Sequence, residues 1–323
     1  MGDEEASPVW FNILRSILLT ITTLLIIGGN SFCIIVLRHV QGISDITKLF
    51  MASLAVSDLT AGIFIAVPMI ASTAMDWWPY GQAVCGIYGI GKYVIYYSGL
   101  LSLLMVTVER YIMVVWPLRY PDIVTLFRAR VTVVCIWLIA FGIAMFFGFS
   151  VNFKVEVDDD EDNCSLDTKK TDFWHYPLKY MAVAFIIIPL VTVMLLYTHI
   201  LLIARQQIRQ IALITTSMPL TETDRINANT RRSNRKAAGT FLIVTLAFGL
   251  AWMPSAIRKL NKLATGNSDT MYTEFLARLC MLTNSWLNVF VYYFRNESFK
   301  STARRFIDKT LGRRGMDDIM VSY

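Results

Sequence analysis

Glu109-Arg110-Tyr111 places a carboxylate, a guanidinium and a phenol on consecutive residues, and Pro117-Leu118 follows closely. The triplet closes an apolar stretch that begins near Cys85. At ~1.5 Å per residue, a helix from Cys85 to Arg110 is roughly 37 Å long, about one bilayer with its headgroups. One helix thus carries a cysteine at one membrane face and an acid–base–aromatic triplet at the other. That arrangement points to signal transfer across a membrane rather than chemistry within it, so the chain reads as a non-enzyme.

Other polar side chains interrupt apolar sequence, where they are costly and usually functional. Asn30, Asp58 (within Leu54-Ala55-Val56-Ser57-Asp58-Leu59), Asn284, Ser285 and Asn288 are of this kind. An ionised Asp58 in mid-membrane needs partners or water, and Ser285 and Asn288, three apart on one helix face, can supply them. Two readings stand: a polar network that locks packing, and a hydrated one that rearranges. Lys92 lies seven residues after Cys85, roughly 10 Å into the same helix. A cation there costs about 2.5–3.5 kcal/mol on insertion scales unless it meets a wet cavity or an anion. Tyr93, Tyr96 and Tyr97 surround it.

Composition dictates the elements that position these groups. Of the 323 residues, 55% are hydrophobic and 17% charged, with mean hydropathy +0.50. Soluble domains are nearer a quarter charged. The charges are segregated, which leaves apolar runs of about twenty residues, the length of a membrane span. The net charge of +6 then reads as membrane topology, and no basic-aromatic patch for nucleic acid is evident. Seven spans are expected near residues 11–37, 47–75, 83–115, 127–150, 175–204, 236–264 and 270–294. The first follows Asp3, Glu4 and Glu5, lacks a basic leader and is long for a signal peptide, so it reads as a retained helix.

Basic residues select the cytoplasmic side. They are Arg38 and Lys48 after span 1, Arg119, Arg128 and Arg130 after span 3, seven from Arg205 to Lys236 after span 5, and six from Lys300 to Arg314 in the tail. The opposite side carries Asp158-Asp159-Asp160-Glu161-Asp162. The chain is therefore an all-α, multi-pass plasma-membrane protein with its N-terminus (1–10) outside. A seven-helix bundle (11–294) follows, then a short cytoplasmic tail (295–323). In that tail Phe299, Ala303, Phe306 and Ile307 alternate with bases and should lie as an amphipathic helix on membrane lipid. Cys85 and Cys164 both fall on the oxidising outer side. A bond between them would pin the acidic loop over span 3; two free thiols are the alternative. Asn163-Cys164-Ser165 has the form of a glycosylation sequon.

In order along the chain, these motifs resemble the rhodopsin-like G-protein-coupled receptors. The likeness rests on Gly29-Asn30, Leu-Ala-Val-Ser-Asp58-Leu, Trp78-Pro79-Tyr80-Gly81 with Cys85, and Glu109-Arg110-Tyr111 with Trp116-Pro117-Leu118. It continues through Trp137, Pro189, Tyr197, Phe248, Trp252-Met253-Pro254, Asn288-Val289-Phe290-Val291-Tyr292 and Phe299. Spans 2, 3 and 7 look most like the amine-receptor-like branch. The resemblance implies that an extracellular small molecule shifts the Trp252–Phe248 stack and swings the inner half of span 6 about Pro254. Arg110 then leaves Glu109 and meets a heterotrimeric G protein, with Tyr197 and Tyr292 steadying the open form and Leu118 offering an apolar knob. Arrestin is a further partner the family implies.

Several positions depart from the family pattern. Val289 replaces a proline in span 7. Gly99 stands where many members carry a serine that helps Asp58 hold sodium, which leaves Asp58 as the candidate metal site without that ligand. Asn234 stands where some members carry an acid, so Glu109 alone is expected to restrain Arg110 and basal activity is expected. Lys92 takes the place of the amine-binding aspartate, and Leu282 that of the retinal-bearing lysine. Family geometry turns Lys259 and Arg278 toward the Lys92 cavity. Together with Tyr93 and Tyr96 these cations suggest an anionic ligand. The competing readings are salt bridges, Lys92 with Glu274 or the other cations with the acidic loop, and an acidic loop that folds inward as a plug. No cofactor other than sodium is expected. The functional alternatives are a seven-helix ion transporter or channel, for which no internal repeat is seen, and a silent or constitutively active receptor-like protein. The terminal Val321-Ser322-Tyr323 has the form of a PDZ ligand.

Overall fold

The computed structural model describes residues 8–150, 155–158, 163–166, 187–203, 246–258 and 270–311, with 181, 184, 185, 206, 239, 243, 244, 260, 261 and 265. Helix α1 spans Val9–His39, and Gly42 (φ 81°) turns the chain into α2, Asp45–Ala61. Ser44 starts α2 by accepting a hydrogen bond from the Thr47 amide at 3.2 Å, which satisfies one of the free donors of the first turn. A single π-helical turn, Gly62–Ala66, joins α2 to α3, Val67–Met75. Pro68 follows that turn and lacks an amide to continue a regular α-ladder, so the wider turn absorbs the irregularity. Gly62 is required there for another reason. A Cβ on it would lie 2.8 Å from Ile26 and 2.9 Å from Ile27 of α1.

The longest helix, α4, runs from Gly81 to Val115, followed by the short α5, Tyr120–Ile123, and by α6, Leu126–Ser150. Beyond α6 the chain forms an antiparallel ribbon, β1 (Val155–Asp158) with β2 (Asn163–Leu166), in which Val157 pairs with Cys164. The all-α expectation did not contain this ribbon. Its main chain packs against α4. Helices α7, Ile187–Ile203, and α8, residues 246–258, represent spans 5 and 6. Helix α9, Met271–Arg295, is capped by Thr270, and α10, Glu297–Thr310, by Asn296.

Among the described residues, Val9–His39, Asp45–Met75, Gly81–Val115 and Leu126–Ser150 are long and apolar enough to cross a membrane. The apolar and polar faces are inverted relative to a water-soluble bundle. Leu24, Phe64, Ile87, Leu138, Phe149, Leu195, Leu250 and Leu276 face outward, while Asn30, Asp58, Ser98, Ser102, Asn284 and Asn288 are buried. Outward apolar area on this scale would drive aggregation in water and matches lipid instead. Helix α4 packs against α2 and α6, α1 against α2 and α9, and α10 returns beneath α9 and α1. His39 of α1 meets Phe306 of α10 edge to face at 4.8 Å, and Phe299 is fully buried. The amphipathic α10 thereby has its apolar side on the bundle and its bases on the other.

Candidate functional site

At the inner end of α4, Glu109 and Arg110 are 2% and 5% exposed, and Arg110 Nε lies 2.8 Å from Glu109 Oε2. The pair is not isolated. Thr47 of α2 donates its hydroxyl to Glu109 Oε1 at 3.0 Å and accepts a hydrogen bond from Arg110 Nη2. Tyr120 of α5 donates to the same Glu109 oxygen at 2.7 Å. Burial, and then the adjacent Glu109 charge, holds the Tyr120 phenol well above its usual range, so it remains a proton donor at every physiological pH. Tyr111 points elsewhere, bonding His199 Nδ1 of α7 at 3.0 Å and stacking on that ring. Leu118 is 93% exposed between α4 and α5.

The expectation that Glu109 alone restrains Arg110 is therefore corrected: α2 and α5 both contribute to the hold. Thr47 and Tyr120 gave no signal in sequence, because a threonine near a helix start and a tyrosine after Arg119 are ordinary in type. Their role comes from contacts 62 and 11 residues away in the chain.

Above the triplet, Tyr197, Phe248, Trp252 and Tyr292 share one core with Leu100, Leu103 and Val106 of α4. Phe248 stacks on Trp252 (centroids 5.2 Å apart, planes 14°), and Trp252 meets Tyr96 of α4 edge-on at 5.3 Å. Pro254 lies in α8 just above Trp252, and Ser255 donates to Ala277 O of α9 at 3.3 Å. At the same depth Asn288 donates to Asp58 at 3.0 Å, and Asn30 donates to Ser285 O at 2.9 Å, so α1, α2 and α9 are tied by polar groups. The side-chain oxygens of Asn30, Asn284 and Asn288 are buried without a protein partner, which suits ordered water or a cation. A Cβ at Gly99 would lie 3.1 Å from Ser57 Oγ. Ser57 itself bonds Ser98 at 2.9 Å and Ile95 O at 2.8 Å. Its hydroxyl thus occupies the space into which a serine at Gly99 would project.

At the outer end, Cys85 is buried and disulfide-bonded. The β2 strand carries Cys164, whose side chain lies outside the described residues. Lys92 sits over the Tyr88 ring, 5.5 Å from its centroid, and Tyr88 packs on Trp78. Tyr93 and Tyr96 diverge. Tyr93 stacks on Phe147 of α6 at 5.7 Å, whereas Tyr96 faces Trp252. The expectation that both line one cavity is thus divided between two faces of α4. Arg278 binds Glu274 one turn above it on α9, and Arg258 of α8 lies 3.6 Å from the other carboxylate oxygen. Arg258 was not among the expected residues. Its clue was a charge four residues after Pro254, near the outer end of an apolar span. Arg15 of α1 was likewise passed over; it binds Asp76 and Thr73 O at the outer end of α3. Lys259, Asn234, the bases from Arg205 to Lys236, the Asp159–Asp162 run and the terminal Val321-Ser322-Tyr323 lie outside the described residues.

A family profile described as 7 transmembrane receptor (rhodopsin family) matches residues 29–292. The chain belongs to that family. It is 27% identical over 273 residues to the rat (Rattus norvegicus) trace amine-associated receptor 6, covering 83% of this chain and 77% of that one. It is 28% identical over 302 residues to the human adenosine receptor A2b, covering 88% and 87%. Squid rhodopsin superposes with a TM-score of 0.83 at 19% identity, over 95% of this chain and 88% of that one, which shows the shared seven-helix fold. This rhodopsin-family chain is a multi-pass plasma-membrane receptor of the G-protein-coupled type, and nothing in these likenesses favours an ion transporter.

Proposed function

We propose that this receptor takes an anionic small molecule at its outer end and passes the signal to a heterotrimeric G protein through Arg110. The N-terminus lies outside and α10 lies on the inner leaflet, as the distribution of bases requires. The observation that carries the reading is a chain of ring contacts running from α4 into α8. Tyr96 meets Trp252, and Trp252 stacks on Phe248. That stack shares a core with Tyr197 and Tyr292, above the held Arg110. Lys92, Arg258 and Arg278 bring three cations to the outer ends of α4, α8 and α9, and Lys259 adds a fourth if it turns inward as the family geometry implies. Pro254 allows the inner part of span 6 to bend outward. Arg110 then exchanges Glu109 for an acceptor on the G protein, and the exposed Leu118 docks beside it.

Three further assignments rest on the same architecture. A Cys85–Cys164 bond joins the ribbon to α4, and arrestin shares the cytoplasmic cleft. Asp58, with Asn288, is the place for sodium. It has carboxylate and amide oxygens of the right chemistry for a hard cation, although Ser57 narrows the space beside Gly99.

The test is nucleotide exchange on G protein in membranes holding the full chain, first without ligand and then against a panel of carboxylates, phosphates and sulfates. Signalling lost in Arg110→Ala and reduced in Leu118→Ala at equal surface level supports the coupling route. Responses to amines alone, surviving both Lys92→Ala and Arg278→Gln, would reject the anionic ligand. The silent-receptor reading is less favoured because Arg110, Tyr197 and the exposed Leu118 are all in place.

A further inference from the structure

Helix α5 is a single turn, Tyr120–Ile123, and it buries none of its residues. Pro121 presets the backbone of that turn. One turn does not hold itself, because ordering it fixes several dihedrals for very few internal bonds. With no burial to help, α5 is held by polar groups from two neighbours. At its start, Tyr120 donates to Glu109 of α4 at 2.7 Å. At its end, the carbonyls of Asp122 and Ile123 both accept from Arg128 Nη1 of α6, at 2.8 and 2.9 Å. Carbonyls at a helix end have no amide partner within the helix and carry its negative pole, so a cation that donates to them is favoured. Arg128 has a firm base. Its amide donates to the Thr125 hydroxyl at 3.4 Å, and the Ala129 amide donates to Thr125 O at 2.9 Å, which fixes the first turn of the 25-residue α6. Helix α6 in turn packs on α4.

The turn that carries Leu118 is continuous with α5. Trp116 O accepts from the Arg119 and Tyr120 amides at 3.0 and 2.9 Å, and Arg119 O accepts from Asp122 and Ile123 at 3.1 and 3.0 Å. The 93%-exposed Leu118 therefore goes where α5 goes. We propose that Arg128 is a positioning residue for G-protein coupling: by capping α5 from α6 it sets where Leu118 is presented. Arg128 thus does more than mark the cytoplasmic side, and it does so without touching the G protein. The inference rests on the docking role of Leu118 and adds the residue that fixes its place.

Titration of G protein separates placement from stability. Purified full-length receptor in lipid bilayer discs is titrated with a heterotrimeric G protein that the wild type activates. Nucleotide exchange then gives a maximal rate and a half-maximal concentration. Arg128→Met keeps the apolar stem and loses both bonds. With α5 ordered for only about a fifth to a tenth of the time, the half-maximal concentration rises roughly 5- to 10-fold, the reciprocal of the competent fraction. The maximal rate does not fall. A variant that merely misfolds lowers the rate at an unchanged half-maximal concentration. Because one nitrogen makes both bonds, a lysine can replace it, and Arg128→Lys stays within about twofold of wild type. Arg128→Met also speeds amide exchange at Asp122, Ile123 and Val124 by at least about fivefold, whereas Leu118→Ala leaves it unchanged. Added to Leu118→Ala, Arg128→Met raises the half-maximal concentration by less than about twofold more, since the side chain it places is gone. Three results each overturn the proposal: an unchanged half-maximal concentration in Arg128→Met, unchanged amide exchange, or full multiplication of the two effects. The last would mean that Arg128 touches the G protein itself. Failure of the docking reading looks different: Leu118→Ala would then couple like the wild type, and the proposal falls with it.

Discussion

Removing the two neutral donors that hold Glu109 should raise signalling in the absence of ligand. Tyr120 donates at 2.7 Å and Thr47 at 3.0 Å to the same buried oxygen, and Thr47 also accepts from Arg110. A hydrogen bond to a charged group contributes about 1.5–3 kcal/mol. If the bond is present in the closed state and absent in the open one, Tyr120→Phe shifts the closed-to-open ratio by roughly 10- to 150-fold. A receptor open for about 1% of the time would then be open for at least about 9%. Thr47→Val keeps the volume but loses a donor to Glu109 and an acceptor for Arg110, so its effect equals or exceeds that of Tyr120→Phe. Thr47→Ser keeps the hydroxyl and should match the wild type. Tyr111→Phe serves as an internal comparison. Its bond to His199 is exposed and should change basal activity less than twofold. The assay is ligand-free nucleotide exchange in membranes, divided by the number of receptors at the surface. Unchanged basal exchange in both Thr47→Val and Tyr120→Phe, with Arg110→Ala silent, would refute the claim that α2 and α5 hold the arginine.

Three other perturbations follow from particular contacts. Asn234→Glu supplies the acid that some members of the family carry at this position to pair with the arginine, and should lower basal exchange relative to wild type, measured in the same membranes; equal basal activity would count against it. At Gly62 a valine gains up to about 0.5 kcal/mol of helix propensity. Against that, its Cβ meets Ile26 and Ile27 at under 3 Å, a crowding that costs about 1–3 kcal/mol. Gly62→Val should therefore lower the thermal midpoint, and a rise would show that α1 can move away from α2. Gly99→Ser alone crowds Ser57 Oγ, whereas Gly99→Ser with Ser57→Ala opens room for a hydroxyl beside Asp58. The paired variant should be stabilised by sodium over potassium more than the wild type is. Equal sodium dependence in the two would mean that Ser57 already serves as the ligand.

What was legible in the sequence, and what was not, divides along a physical line. A span is a property of a run of residues, because the bilayer sets a minimum apolar length. The expected limits 11–37, 47–75, 83–115, 127–150 and 270–294 accordingly lie within two residues of α1, the α2–α3 unit, α4, α6 and α9. Residues whose role follows from type and depth were also legible: Asp58 does meet Asn288, and Trp252 does stack on Phe248. The partners of a charge are not a property of its neighbours in sequence. Arg110 meets Thr47, Glu274 meets Arg258, and Arg15 meets Asp76, each across 16 to 63 residues of chain. Two of these pairs announced themselves in part, since a buried arginine within an apolar span must have a counter-charge somewhere. Thr47 and Tyr120 did not, because neutral hydroxyls carry no such obligation until they are seen against a buried carboxylate. The resulting asymmetry bears on function. The charges that define the signalling residues can be read from the chain, whereas the neutral groups that set how firmly those charges are held, and so how active the resting receptor is, emerge only from packing.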